Sequence, residues 1–451
     1  MRFIATLLLC ASICSIQAQN TTAHKIDSLL SYLHSFNAFN GEVMLMKGNQ
    51  VAFHATYNDL SNGSNHYRIG SITKVFTALA VYKTMEANVF TWDATLNKWY
   101  PQIPHAKDIT IEMMLSHRSG IFNITAWENY YATRNQSFTK QEILDIIISQ
   151  KPAFKPGKDV EYSNSNYILL GYILEDIYGK PFAEIVDELV IQPAGLENTW
   201  FEYGSPDRTI RETSYIFDGA NWNPDVDSEP NLPGAAGSMV SNTHDLCMLM
   251  QALFDNRIIS AASRDSMMLL VNASFGHGIL KAPFYNHQGW GHTGRIDEFR
   301  SYAGYFPNDS VTMAITTNGM NMDLNELMIG VLSIYFDTAY VWPHFVDFDL
   351  NTEPLTEEFC GVYKLRLFGF IPLGKLGLEK ASPNFMWMYD AKSGIEKSQR
   401  ILVRRSNTFT WEATEINGEL TFEPDKKGNF KTIQIHQGNF NVKAKRVSSG
   451  K

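Results

Sequence analysis

Ser71-Ile72-Thr73-Lys74 sets a hydroxyl and an amine three residues apart at the head of an apolar run. On a helix that spacing puts both side chains on one face. Ile72, Val75, Phe76, Leu79, Ala80 and Tyr82 recur at helical spacing, and Ala78 and Val81 leave little polar face. The pattern predicts a helix buried nearly all round. A lysine one turn into such a helix is costly unless it is paired or has a task. The helix N-terminus also favours negative charge on a nearby oxygen, so Ser71 is a candidate activated nucleophile. The same spacing recurs in Ser137-Phe138-Thr139-Lys140. There Thr139 and Glu142 form a capping box, which predicts an ordinary surface helix start with a solvated lysine.

Two further elements favour Ser71. Tyr162-Ser163-Asn164 is the only Tyr-x-Asn in the chain and follows the turn Lys155-Pro156-Gly157. Alone it reads equally as a loop tyrosine with an Asx turn. His292-Thr293-Gly294 follows Trp290-Gly291 and precedes two strand-like runs, and alone it reads as a strand-end turn. Lys392-Ser393-Gly394 is a rival for this third element, but its residues are ordinary turn residues between short strands.

Ser-x-x-Lys, Tyr-x-Asn and a basic residue followed by Thr-Gly, in that order, resemble the three signatures of the serine β-lactamase and penicillin-binding-protein superfamily. Tyr-x-Asn points to its class C branch, with the esterase and D-peptidase relatives. His117-Arg118-Ser119-Gly120-Ile121, Phe154 to Gly157 running into Tyr162 to Tyr167, Ile191 to Leu196, and Gly234 to Asp245 are similar to that branch as well. The likeness covers about residues 25–338.

The resemblance implies Ser71 as the acylated nucleophile, with Lys74 and Tyr162 handling its proton. It implies Asn164 as a substrate-amide contact, and His292, Thr293 and Gly294 as the third wall. The backbone N–H groups of Ser71 and Arg295 would form the oxyanion hole. His117 and Ser119 are expected to fix loops. To act as base at neutral pH, a tyrosine must fall from about 10 to about 7, worth about 4 kcal/mol. A lysine cation at 4 Å in an effective dielectric of 20 supplies about that much. The chain departs from the β-lactamase pattern at His292, where lysine usually stands. An unperturbed histidine carries about a quarter of a charge at pH 7. That disfavours a true β-lactamase, and Arg295 is expected either to replace the missing charge or to narrow the pocket.

Composition excludes other classes. The 451 residues are 44% apolar and 19% charged, as in an ordinary globular protein. A net charge of −9 without clustered basic residues excludes a phosphate-tracking nucleic-acid binder. Four cysteines do not build a disulfide scaffold, and the sequence leaves open whether Cys247 and Cys360 are free thiols. The histidines show no His-Glu-x-x-His and the cysteines no paired Cys-x-x-Cys, so no metal or cofactor is expected. Met1-Arg2, the apolar run Phe3 to Ile16 and Ala18-Gln19 read as a signal peptide over residues 1–18, predicting an exported, periplasmic or secreted protein with no membrane span after cleavage.

The remaining text supplies the scaffold. Phe39 to Tyr57 reads as two alternating strands around Lys47-Gly48-Asn49-Gln50. His105 to Pro233 reads as mainly helical. Glu298 to Phe306 and Ser310 to Thr317 read as paired strands, with a helix from Asp323 to about Phe336. Leu350 to Glu357 reads as a linker, and short β runs from Phe385 to Lys445 predict a small barrel or sandwich. The apolar stretch Leu365 to Leu378 reads as a hairpin or domain contact.

The fold class is therefore α+β. A β-lactamase-like domain at 19–349, with an antiparallel sheet, flanking helices and a helical subdomain, precedes an all-β unit at 350–451 that resembles a lipocalin-like barrel. The expected activity is hydrolysis of an amide or ester through an acyl-enzyme, on a D-amino-acid peptide or cell-wall fragment. A small-molecule esterase or weak β-lactamase is the alternative. The alternative of another class is a non-catalytic penicillin-binding or scaffolding protein. Because all three motifs precede the linker, the β unit is expected to be separable from the chemistry.

Overall fold

The computed structural model describes residues 21–449 apart from 204–209, 344, 346–355, 368–370, 383, 396–399, 407–408, 417 and 439. The proposed signal peptide and most of the proposed linker lie outside the described residues. Thr356–Phe359, which the sequence assigns partly to that linker, is a helical turn whose Phe359 packs into the C-terminal core.

A six-stranded antiparallel sheet organises the first unit. Its order is Gln50–Tyr57, Phe39–Lys47, Val311–Met320, Phe299–Phe306, Trp290–Ile296 and Leu280–Lys281. The hairpin at Lys47 to Gln50 and the strand pair around Pro307–Asp309 form as expected. The Phe39–Lys47 strand, however, is buried along nearly its whole length rather than on one face. The reason is that the sheet has a core on each side. Met44 and Met46 join the larger core with the Ser71 helix, while Val43 and Leu45 join a second core. Side chains still alternate with the pleat, but both destinations are apolar.

That second core contains a helix the sequence reading missed. Residues 21–35 are helical, and Ile26, Leu29, Leu30 and Leu33 line its buried stripe. They pack with Leu327 and Val331 of the Leu324–Tyr335 helix, whose N-cap is Asp323. Against the other face lie Thr73–Glu86, Asn164–Tyr178 and Thr243–Phe254. The Ser137 segment is structural, as its composition indicated. Thr139 and Glu142 form the reciprocal capping box, and Lys140 pairs with Asp176 at 2.8 Å.

The C-terminal strands close an eight-stranded antiparallel barrel in sequence order, with Gly361–Leu367 paired to Phe440–Ser449. Leu365 to Leu378 falls on the first two strands, the hairpin its composition suggested. Lys392-Ser393-Gly394 is a turn, in which the Asp390 carboxylate accepts from the Lys392 N–H at 3.0 Å. Cys247 and Cys360 are both buried, and among the described residues neither is in a disulfide. Among the described residues, no helix is long and apolar enough to cross a membrane.

The barrel does not stand apart. Phe217, beside the short strand pair Tyr215–Phe217 and Trp222–Pro224, forms a small apolar core with Trp387 and Leu402 of the barrel. The separability expected from motif order therefore meets a packed interface.

Candidate active site

A 3-10 turn, Gly70–Ile72, carries Ser71 into the Thr73–Glu86 helix. Gly70 has φ +49°, and a Cβ there would lie 2.7 Å from the Arg295 backbone. Only glycine enters this conformation with the Trp290–Ile296 strand so close. Gly294, across the gap, would place a Cβ 1.9 Å from the Ile69 carbonyl oxygen. His292-Thr293-Gly294 thus lies inside a strand, not in a turn at its end. Its glycine permits the strand to lie directly on the nucleophile turn. Gly294→Ala is expected to push the two apart and lower the rate of Ser71 labelling by a fluorophosphonate about 10²-fold. An unchanged rate in the folded variant would show that the close approach is not needed.

Lys74 is buried, and its Nζ has three polar neighbours. Asn164 Oδ1 accepts from it at 2.8 Å, the Ala236 carbonyl accepts at 2.7 Å, and Ser71 Oγ lies at 3.0 Å. The Tyr162 hydroxyl donates to Ser71 Oγ at 2.8 Å. Four of the residues singled out from sequence are therefore bonded together. Asn164 Nδ2 in turn donates to Asn123 Oδ1 at 3.1 Å, which fixes its amide.

Burial drives Lys74 well below the usual lysine range, and among the described residues no carboxylate pairs with it. Burial pushes Tyr162 the other way, well above an ordinary tyrosine, with the Ser71 hydrogen bond opposing only in part. The sequence leaves open whether a tyrosinate held by a lysine cation or a neutral lysine is the base, and the burial of both groups favours the neutral lysine. The two charged forms lose solvation together, so the buried pair favours amine and phenol.

The neutral amine also suits its neighbours. It has two N–H donors and one lone pair, and two of its three neighbours, Asn164 Oδ1 and the Ala236 carbonyl, only accept. The lone pair is then left for the hydroxyl of Ser71.

His292 is buried, and burial above all lowers it to about 4. Its Nδ1 lies 2.6 Å from the Thr293 carbonyl and acts as the donor there. The quarter charge expected at pH 7 is therefore absent, and acidification to pH 5.5 does not restore it. The His292 ring centroid is 6.5 Å from that of Tyr162. Thr293, between His292 and Gly294 on the same strand, is exposed. His117 and Ser119 hold loops as expected. His117 Nδ1 accepts from the Ser163 N–H at 3.1 Å, and its ring stacks 4.5 Å from Tyr162. Ser119 donates to Asn166 at 2.5 Å.

Ser71, Asn164 and Arg295 open onto a cavity of about 200 Å³, with Tyr130, Arg134 and Arg400 among its walls. Arg400 belongs to the barrel, which sequence reasoning left out of the site. So does Glu415, whose carboxylate lies 3.3 Å from the Arg295 guanidinium and 3.2 Å from that of Arg300. Arg295 thus neither stands free to replace the missing cation nor simply narrows the pocket. It is tied to the second domain. The carbonyls of Ala235 and Ala236 were missed as well. Ala235 accepts from Thr77 at 2.6 Å, stitching the Gly234–Ala236 turn to the nucleophile helix.

The Beta-lactamase family model matches residues 37–329 of this chain, the stretch that contains the three motifs and the whole six-stranded sheet. The chain belongs to the Beta-lactamase family. Penicillin-binding protein 4* of Bacillus subtilis (strain 168) is 27% identical over 282 residues, covering 58% of this β-lactamase-family chain and 62% of that protein. The chain thus spans about three fifths of the length of the curated relatives it matches. Among solved structures, D-amino acid amidase from Ochrobactrum anthropi SV3 complexed with D-phenylalanine superposes with a TM-score of 0.62 at 23% identity, over 71% of this chain and 100% of that one. The octameric penicillin-binding protein homologue from Pyrococcus abyssi superposes with a TM-score of 0.61 at 18% identity, over 93% of this chain and 99% of that one. At these identities the two structures speak for the fold. The match to the homologue from Pyrococcus abyssi covers more than the family model does.

Proposed function

We propose that this β-lactamase-family chain is a serine hydrolase that cleaves amides through an acyl-enzyme on Ser71. The observation that carries the proposal is Ser71 Oγ held between the Lys74 amine at 3.0 Å and the Tyr162 hydroxyl at 2.8 Å. The neutral amine takes the Ser71 proton as Oγ bonds to the substrate carbonyl carbon. The developing oxyanion faces the backbone N–H groups of Ser71 and Arg295. As the C–N bond breaks, the proton returns to the leaving nitrogen, with the Tyr162 hydroxyl placed to relay it. Water then releases the acyl group with the proton transfers reversed.

D-amino-acid peptides, including cell-wall fragments, are the substrate class we favour. Support comes from the amidase and penicillin-binding names of its structural neighbours and relatives, and from the neutral His292 where efficient β-lactamases carry a cation. The same proposal takes residues 19–349 as the catalytic unit and places the protein outside the cytoplasm, on the pattern of its first 18 residues.

Treatment of the full-length protein with a fluorophosphonate is expected to leave one adduct, on Ser71, and none in Ser71→Ala. The N-terminus read in the same mass spectra of exported protein is expected at Gln19. An adduct on Ser137, or labelling that survives in Ser71→Ala, would sink the proposal.

A further inference from the structure

The charged residues around the Ser71 cavity are nearly all paired. Arg134 meets Asp225 at 2.9 Å, Arg300 meets Glu298 at 3.0 Å, and Arg295 meets Glu415. Asp297 is held by Arg68 at 2.5 Å. One cation on the cavity wall differs. Arg400 has no carboxylate partner among the described residues, and its guanidinium lies 5.3 Å from the centre of the Trp387 ring.

Its placement is fixed by packing. Arg400 immediately precedes the Ile401–Arg405 strand, and Leu402 stands opposite Trp387 in the barrel register. Trp387 and Leu402 are the barrel's share of the interface core with Phe217. A guanidinium stacked on a ring anchored in this way keeps its edge available, with little freedom left to lose on binding. Arg400 also lines a second cavity of about 190 Å³, which shares Tyr131, Arg134 and Asp225 with the first. It therefore stands between the Ser71 cavity and its continuation. A planar, half-buried guanidinium at that point matches the bidentate geometry of a carboxylate.

We propose that Arg400, supplied by the C-terminal barrel, is the carboxylate receptor of the Ser71 pocket, so that the preferred substrates are anionic. The receptor takes over at a different place the task that a third-motif cation has in β-lactamases. This inference rests on the hydrolase reading, since it names the substrate class of that same pocket. The carboxylate has two possible sources, the leaving group or the acyl donor, and the test separates them.

The test measures protection of Ser71 from fluorophosphonate labelling by two matched pairs of compounds. One pair is N-acetyl-D-alanyl-D-alanine and its C-terminal amide, and the other is N-succinyl- and N-acetyl-D-alanine anilide. The wild-type protein is expected to bind the charged member of one pair about tenfold or more tightly, and that pair identifies the source. Arg400→Gln is expected to erase the preference while leaving the neutral member within about twofold, and Arg400→Lys to restore part of it. No preference in either pair, a preference that survives Arg400→Gln, or an equal loss for charged and neutral members each overturns the inference. If wild-type Ser71 takes no label at all, it is the hydrolase reading that fails.

Discussion

Lys74→Met is expected to lower the acylation rate of Ser71 by about 10³-fold, within the range general base catalysis supplies. Methionine nearly fills the space of the amine-bearing chain, but it removes the proton acceptor together with the hydrogen bonds to Asn164 and Ala236. Tyr162→Phe is expected to lose a comparable amount. The double variant should lose little more than the worse single one, because residues that act as a unit are non-additive. The pH dependence carries the same signature. Lys74 works as the neutral amine, so activity should fall as the pH drops through its depressed pKa and the amine takes up a proton. His292, neutral down to about 4, should contribute no inflection near pH 6.5. A profile of kcat/KM against pH in wild type and His292→Gln checks this. An inflection near 6.5 that disappears in His292→Gln would show that the buried ring titrates after all. Losses that simply multiply in the double variant would dissolve the proton-transfer unit.

Glu415→Gln is expected to be the most damaging single change in the barrel. Its carboxylate faces both Arg295 and Arg300, and both it and Arg300 are buried at the interface. With the charge removed, both guanidiniums lose a carboxylate partner, and breaking a buried pair in this way costs about 3 kcal/mol. Urea unfolding should register the loss. Glu419→Gln, exposed on the same barrel, should stay within about 0.5 kcal/mol of wild type. The change should also slow labelling of Ser71, because Arg295 is the residue whose backbone is proposed to hold the oxyanion. A Glu415→Gln protein as stable and as reactive as wild type would return the barrel to the separable role that motif order suggests.

The catalytic candidates were legible because each local pattern carried its own reason. Lys74 stood out as an unpaired charge on an apolar helix, and Thr139 with Glu142 explained away the competing serine. The barrel strands were legible from short β runs between turn residues. What stayed hidden depends on contacts between distant segments. Gly294 reads as a turn residue by composition, but its lack of a Cβ serves the close approach of Ile69, some 225 residues earlier in the chain. Arg400 reads as the start of a β run and Glu415 as a residue between two, with nothing in either pattern to point at the site, and the packing of Trp387 and Leu402 on Phe217 brings the barrel to the cavity. The choice of base between Tyr162 and Lys74 stayed open because sequence revealed the neighbouring charge and not the depth of burial, which acts on both partners. The 21–35 helix was missed although Ile26, Leu29, Leu30 and Leu33 have helical spacing, since it lies beside the proposed signal segment and was not read as part of the core.

The closure of the barrel has a consequence in time. Its first strand pairs with its last, so Gly361–Leu367 waits for Phe440–Ser449 to leave the ribosome, roughly 5–15 s at bacterial rates of synthesis. The helix bearing Ser71 and Lys74 is made far earlier, together with the residues that bond to them. Ser71 and Lys74, and the Tyr162, Asn164 and Ala236 that bond to them, are therefore all made before the wall that Arg400 and Glu415 complete. The last strand to be made is thus the one that lets the cylinder seal behind that wall.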